Sequence, residues 1–118
     1  MEDFVSFELA KKLEGLGFDE SSIFFYREDD EDKCVHCVDI NKPLIDDKVI
    51  IAPTISQVLK WLRKEKKIHI CIDFDGDMNW YYQIAIFGST DIAADGYVYN
   101  DYEMSALAGI ERVLDNFI

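Results

Sequence analysis

Proline is almost missing from this chain, with two residues in 118, and glycine is sparse at six. So little of either excludes collagen-like and linker-like compositions and argues for a chain that folds along its length. Basic residues are scarce as well. Twelve Lys and Arg stand against 24 Asp and Glu, a net charge of −12. That balance repels phosphate backbones and anionic membrane surfaces, so direct nucleic-acid binding and membrane docking are disfavoured. Long apolar runs are absent too. Val49-Ile50-Ile51-Ala52 is among the longest, far below the roughly 20 residues of a spanning helix. The start, MEDFVSFELAKK, has no basic-then-apolar leader pattern, so the chain reads as cytoplasmic. Three cysteines make an odd number and, without an export pattern, read as reduced thiols.

What the chain does have is 49% hydrophobic and 14% aromatic residues. A domain of this size can bury roughly two-thirds of the surface that its unfolded chain exposes. A helix is expected over 6–14, with Ser6 as N-cap, Leu9, Ala10 and Leu13 inward, and Gly15 as the left-handed stop. Residues 21–28 and 33–40 read as strands. The five consecutive acids Glu28 to Asp32 repel one another, which places them in a solvated hairpin tip. Both faces of each strand carry apolar residues, so their register stays open. Asn41 to Asp47 reads as a loop and Lys48 to Ala52 as a short extended piece before Pro53.

The stretch from Ile50 to Phe87 carries the clearest signals. Thr54 with Gln57 matches a capping box, and Ile55, Val58, Leu59 and Leu62 recur at helical spacing. Lys60, Arg63, Lys64, Lys66 and Lys67 then hold five of the twelve basic residues. They suit the negative end of a helix dipole, or a docking patch for something acidic. Next, Ile68, Ile70, Ile72 and Phe74 alternate with His69, Cys71 and Asp73, and Trp80, Tyr82, Ile84 and Ile86 with Tyr81, Gln83 and Ala85. Opposed residues of an antiparallel pair share a face, so the apolar sets match only when Phe74 pairs with Trp80. That requires a loop of three or five residues around Gly76. It also gathers His69, Cys71, Asp73, Tyr81 and Gln83 on a second, more polar face. Residues 88–99 read as a loop ending in a short strand at Tyr97 to Tyr99. A last helix follows to Asn116, capped by Asn100 with Glu103, burying Leu107, Ile110, Leu114 and Phe117, widened by Ala106 and Val113.

Three motifs suggest chemistry. Ile70 to Asp77 resembles the opening motif of haloacid-dehalogenase-type phosphotransferases, which implies Asp73 as nucleophile and Asp75 as general acid beside magnesium. Only 41 residues follow Asp77, too few for that family's parallel sheet, and the next segment reads as a hairpin return. A calcium loop on Asp73, Asp75 and Asp77 lacks the glutamate at its twelfth position. Cys34-Val35-His36-Cys37 could join His69 and Cys71 around zinc, but strand geometry sends Cys34 and Cys37 to opposite faces. The aromatic set Trp61, Trp80, Tyr81, Tyr82, Tyr97, Tyr99 and Tyr102 lacks the interleaved basic residues of a base-stacking surface and fits packing or a protein interface.

The segments SFELAKKLEGLGF, APTISQVLKWLRKEKKIHI and YEMSALAGIERVLDNFI together resemble a group of small proteins of Bacteroides-type gut bacteria and their phages and prophages. The resemblance covers most of the chain, with the middle segment the most specific. It implies a genomic setting and a fold, with no catalytic residues to carry over.

The expectation is one α+β domain over 1–118, in the order α-β-β-α-β-β-α, with helices on one face of a mainly antiparallel sheet. The expected function is a non-enzymatic protein-interaction module without cofactors, homodimeric or bound to another protein through a sheet face or edge. An acidic mimic of nucleic acid that blocks a host or defence protein is the second reading. A magnesium-dependent phosphotransferase on Asp73 and Asp75 is the third.

Overall fold

The computed structural model describes residues 4–18, 24–28, 31–37, 49–76, 79–89, 92–94 and 96–118. The order is α1 (Phe7–Gly15), β1 (Phe24–Arg27), β2 (His36–Cys37), β3 (Val49–Ile51), α2 (Ile55–Glu65), β4 (Ile68–Phe74), β5 (Trp80–Ile86), β6 (Ile92–Ala93) and α3 (Tyr102–Asn116). The α+β class and the expected order hold, with short strands β3 and β6 added and every strand pair antiparallel. The strands form two sheets, β2-β1-β3 and β4-β5-β6, where one was expected. The reason is β3: the piece read as merely extended pairs with β1 and completes a sheet there. The chain gathers into two compact units, residues 1–54 and 55–118.

In the first unit, the Ser6 side chain accepts from the Leu9 N–H at 3.3 Å and starts α1. Leu9, Ala10 and Leu13 are buried, as their spacing predicts. The helix runs one residue further than expected. Gly15 closes it, and the left-handed position, φ +88°, falls on Gly17. α1 packs on β3. Tyr26 of β1 faces Ile50 of β3, and both are buried. The Tyr26 hydroxyl donates to the Val5 carbonyl. Burial, and secondarily the nearby Glu8 carboxylate, push this phenol above its ordinary 10.0. Phe25, on the opposite face, is buried as well and stacks on His36 at 5.5 Å. Of the expected strand residues 21–28 and 33–40, positions 21–23 and 38–40 lie outside the described residues, as does the 41–48 segment. Cys34 and Val35 precede β2 and are not strand. Glu28, Glu31 and Asp32 are exposed, as a solvated tip requires; Asp29 and Asp30 are outside the described residues.

In the second unit, α2 buries Ile55, Val58, Leu59, Trp61 and Leu62. Two residues after the helix ends, Lys67 takes a left-handed φ of +58° and its carbonyl accepts from the Phe87 N–H at 2.8 Å. The β4–β5 register runs from Ile68↔Ile86 through Ile70↔Ile84 to Phe74↔Trp80, with Asp75–Asn79 as the loop. Those five residues are the odd-numbered loop that matching the apolar sets demands. Ile68, Ile70, Tyr82 and Ile84 are buried. α2 and α3 both pack on β4, and α3 also on β5. α3 sits close because Gly109 lacks a side chain: a Cβ there would stand 3.0 Å from Ile70 Cγ2 and 3.2 Å from Tyr82 Cγ.

Three readings of this half need correction. The cap of α3 is Asp101, whose carboxylate accepts from the Met104 N–H at 2.7 Å, in place of Asn100. Both residue types cap well, and Asp101 has the extended backbone that a cap takes. The buried stripe keeps the expected Ala106, Ile110, Val113 and Leu114 but turns toward Ser105 and Gly109, so that Leu107 and Phe117 are only half-buried. Finally, 88–99 is more than a loop. Ile92 and Ala93 pair with Ala85 and Ile84, and Tyr99 exchanges backbone hydrogen bonds of 2.7 and 2.9 Å with Trp80.

Candidate interaction surface

The register decides which side chains share a surface. Cys71 opposes Gln83, Asp73 opposes Tyr81, and His69 opposes Ala85. Side chains alternate across a strand, so these residues lie on the face away from Ile70, Tyr82 and Gly109. His69, Cys71, Asp73, Tyr81 and Gln83 therefore come together as the sequence predicts. Cys71, Asp73 and Gln83 are exposed, and His69 and Tyr81 half-buried. The His69 Nδ1 has neither solvent access nor a hydrogen-bond partner.

The basic cluster forms a separate feature. Lys60, Lys64 and Lys67 are exposed and Arg63 half-buried, away from the apolar stripe of α2. The Lys66 ammonium lies 5.4 Å from the centroid of the Trp61 ring, so one of the five cations covers the helix's own tryptophan.

The alternating pattern did not reveal a third feature, at the hairpin end of the sheet. Phe74 and Trp80 are paired with ring centroids 5.3 Å apart, and Tyr102 meets Trp80 edge-on at 5.7 Å. Although Phe74 falls in the apolar alternation, it is 60% exposed, with Tyr102 at 37%. The register sets which face a residue takes, but not how far along the strand the helices cover it. The three-residue spacing from Tyr99 to Tyr102, on either side of the Asp101 cap, was the available signal that aromatic groups converge where α3 begins.

Between the β6 pairing and the Tyr99–Trp80 bridge, residues 94–98 stand opposite 81–83. Two extra residues must bulge, and Gly96 takes φ +79° within them. The bulge leaves a depression of about 210 Å³ beside Tyr81, Gln83, Ala94, Gly96, Tyr97 and Val98. Small-molecule pockets start near roughly 300 Å³, so this depression suits a side chain better than a substrate.

The carboxylates of the phosphotransferase motif are engaged locally. Asp75 Oδ1 accepts from the Asn79 N–H at 3.2 Å, and the Asp75 N–H donates to the Asn79 carbonyl at 2.9 Å, closing the hairpin loop. Asp73 Oδ1 accepts from the Phe74 N–H at 2.8 Å. Asp77 lies outside the described residues. Among the described residues no three His, Cys, Asp or Glu side chains converge as a metal set. Cys34, Cys37 and Cys71 are exposed and form no disulfide among the described residues. No helix among the described residues is long and apolar enough to cross a membrane.

The chain matches no family model, no curated protein and no solved structure.

Proposed function

We propose that this chain is a small cytoplasmic protein-interaction module without catalysis, carried in a phage or prophage setting, and that its second unit makes the contact. One observation carries the reading: Phe74 and Tyr102 stand exposed around Trp80 at the hairpin end of the sheet. Exposed apolar patches mark interaction sites, and Trp, Tyr, Phe and Met are the residue types enriched there. The resemblance of the three segments supports the phage setting. The local engagement of Asp73 and Asp75 weighs against the phosphotransferase reading. The acidic-mimic reading draws on the −12 charge, but five of the twelve basic residues cluster from Lys60 to Lys67 and interrupt it.

The test compares the wild-type chain with Phe74→Asp and Tyr102→Asp. Each is immobilised and exposed to a lysate of the native host, and bound proteins are identified by mass spectrometry. A defined partner retained by the wild type and lost by both folded variants supports the reading. A profile identical for all three, together with sedimentation as a monomer at every concentration, overturns it.

A further inference from the structure

The aromatic end of the second unit carries a charge pattern that bears on the chemistry of its partner. From Ile68 to Glu111 the chain holds no Lys or Arg, yet eight Asp and Glu. That span supplies β4, β5, β6 and most of α3. Phe74 lies between Asp73 and Asp75 in the sequence, and Tyr102 between Asp101 and Glu103. Phe74 and Tyr102 are exposed, as are Asp73 and Asp101. Trp80 joins the two rings, with Phe74 tilted against it by 54° and Tyr102 by 89°. Rings inclined in this way do not stack flat, and an exposure of 60% leaves most of Phe74 open to solvent.

The face of an aromatic ring attracts a cation placed within about 6 Å of its centroid. The chain makes that contact elsewhere with its own cations. Lys33 lies 4.5 Å from the Phe7 centroid, Arg27 5.5 Å from that of Phe25, and Lys66 5.4 Å from that of Trp61. Among the described residues no cation lies over Phe74, Trp80 or Tyr102, and the sequence around them has none to offer. Asp75 and Asp101 each use Oδ1 to accept a local N–H, which leaves their charge in place. An apolar segment docked here would bury carboxylates without a counter-charge, and a polyanion would be repelled. A cationic segment satisfies rings and carboxylates together. Of the two cationic side chains, arginine fits better. Its guanidinium is planar, weakly hydrated and bidentate toward carboxylates, and it stacks on aromatic faces. We infer that the Phe74–Trp80–Tyr102 end docks an arginine-bearing segment of another protein. The guanidinium lies on the Phe74 ring, and Asp75 and Asp101 supply the counter-charge. This inference rests on the interaction-module reading and gives its partner a chemistry.

An NMR titration of the full chain at physiological salt tests it, with a glycine-spaced tri-arginine peptide and its tri-lysine counterpart as probes. The chain has two tryptophans, whose indole N–H signals report position. Trp80 should shift saturably, while Trp61, buried and covered by Lys66, should not move. The arginine peptide should bind about two- to fivefold tighter than the lysine peptide, and Phe74→Ala should remove that margin. Asp75→Asn with Asp101→Asn keeps an acceptor for each local hydrogen bond but removes two charges. This pair should weaken binding about two- to fivefold. Glu31→Gln with Asp32→Asn removes the same charge from the first unit and should leave binding nearly unchanged. Absence of a saturable Trp80 shift overturns the inference. So do equal affinities for the two peptides, a margin that survives Phe74→Ala, or equal losses from the two charge pairs, each of which is general attraction to the net charge. A dimer that Phe74→Ala dissolves gives the surface to a second copy and overturns it as well. If the lysate experiment meanwhile yields a partner that depends on Phe74 and Tyr102, the module reading stands and only the arginine chemistry fails.

Discussion

Among the described residues, the first unit's β1–β2 pairing joins Phe24 and Phe25 to Cys37 and His36, whereas β4–β5 matches seven residues with seven. Both pairings draw on aromatic and β-branched residues, so composition does not explain the difference. In β1 the consecutive residues Phe25 and Tyr26 are both buried and point to opposite faces. No single face defines the inside, and a one-residue slip would bury a different aromatic at little cost. In β4–β5 the isoleucines take the helix face, and His69, Cys71, Asp73 and Gln83 take the other. A slip there would send every isoleucine into water. Register is thus specified by one-sided burial. The first unit fixes its strands through tertiary ties instead: the Tyr26 hydroxyl on the Val5 carbonyl, and the edge-on Phe7–Tyr26 pair at 5.8 Å.

If one-sided burial under α3 holds the second hairpin, separating helix from sheet should have the largest effect. Gly109→Val places methyl groups where a Cβ alone already stands 3.0 Å from Ile70 Cγ2. Overpacking of this kind should cost about 2–3 kcal/mol. Denaturant unfolding followed by Trp61 and Trp80 fluorescence would measure it. An unchanged midpoint would mean that α3 is not what holds the β4–β5 face.

The first unit should respond more weakly, and to pH. Tyr26→Phe removes the donor to the Val5 carbonyl and should cost about 1–2 kcal/mol at neutral pH. The phenol is held above its ordinary 10.0 by burial and then by Glu8. The folded state therefore binds this proton more tightly than the unfolded state does. The stabilisation is complete below pH about 10 and is lost as pH rises through the folded value. Wild-type stability minus that of Tyr26→Phe should accordingly shrink above pH 10. A difference that is constant to pH 11 would rule out a raised phenol.

The same contrast explains what the sequence made legible. The five-residue loop, the Phe74↔Trp80 pairing and the sharing of one face by His69, Cys71, Asp73, Tyr81 and Gln83 all followed from clean alternation. β6 was missed because two residues are too few to show a period, and Tyr99 joins the sheet by a single bridge. The exposure of Phe74 at the aromatic end was missed for another reason. Periodicity assigns Phe74 to the apolar face, and only the position of α3 reveals that this face is open there. The basic cluster was visible as composition, but the placement of Lys66 over Trp61 depends on how the chain leaves α2.

That exit gives the smallest expected effect. Only Lys66 and Lys67 separate α2 from β4, and the reversal is made by a left-handed Lys67 at φ +58°. A side chain in that region costs roughly 1–2 kcal/mol, and glycine avoids the steric part of this cost. Glycine also adds backbone freedom to the unfolded chain, which takes back roughly 0.4–1 kcal/mol. Lys67→Gly should therefore stabilise the chain by about 0.5–1 kcal/mol, read as a small rise in the denaturant midpoint at unchanged slope. Lys67→Ala keeps the Cβ while removing the charge, and should show no gain. If the two variants were equal, the benefit would come from relieving charge among Lys60, Arg63, Lys64 and Lys67 rather than from the backbone. The α2–β4 turn would then be set by the helix above it, and one-sided burial would have to account for this junction as well as for the hairpin.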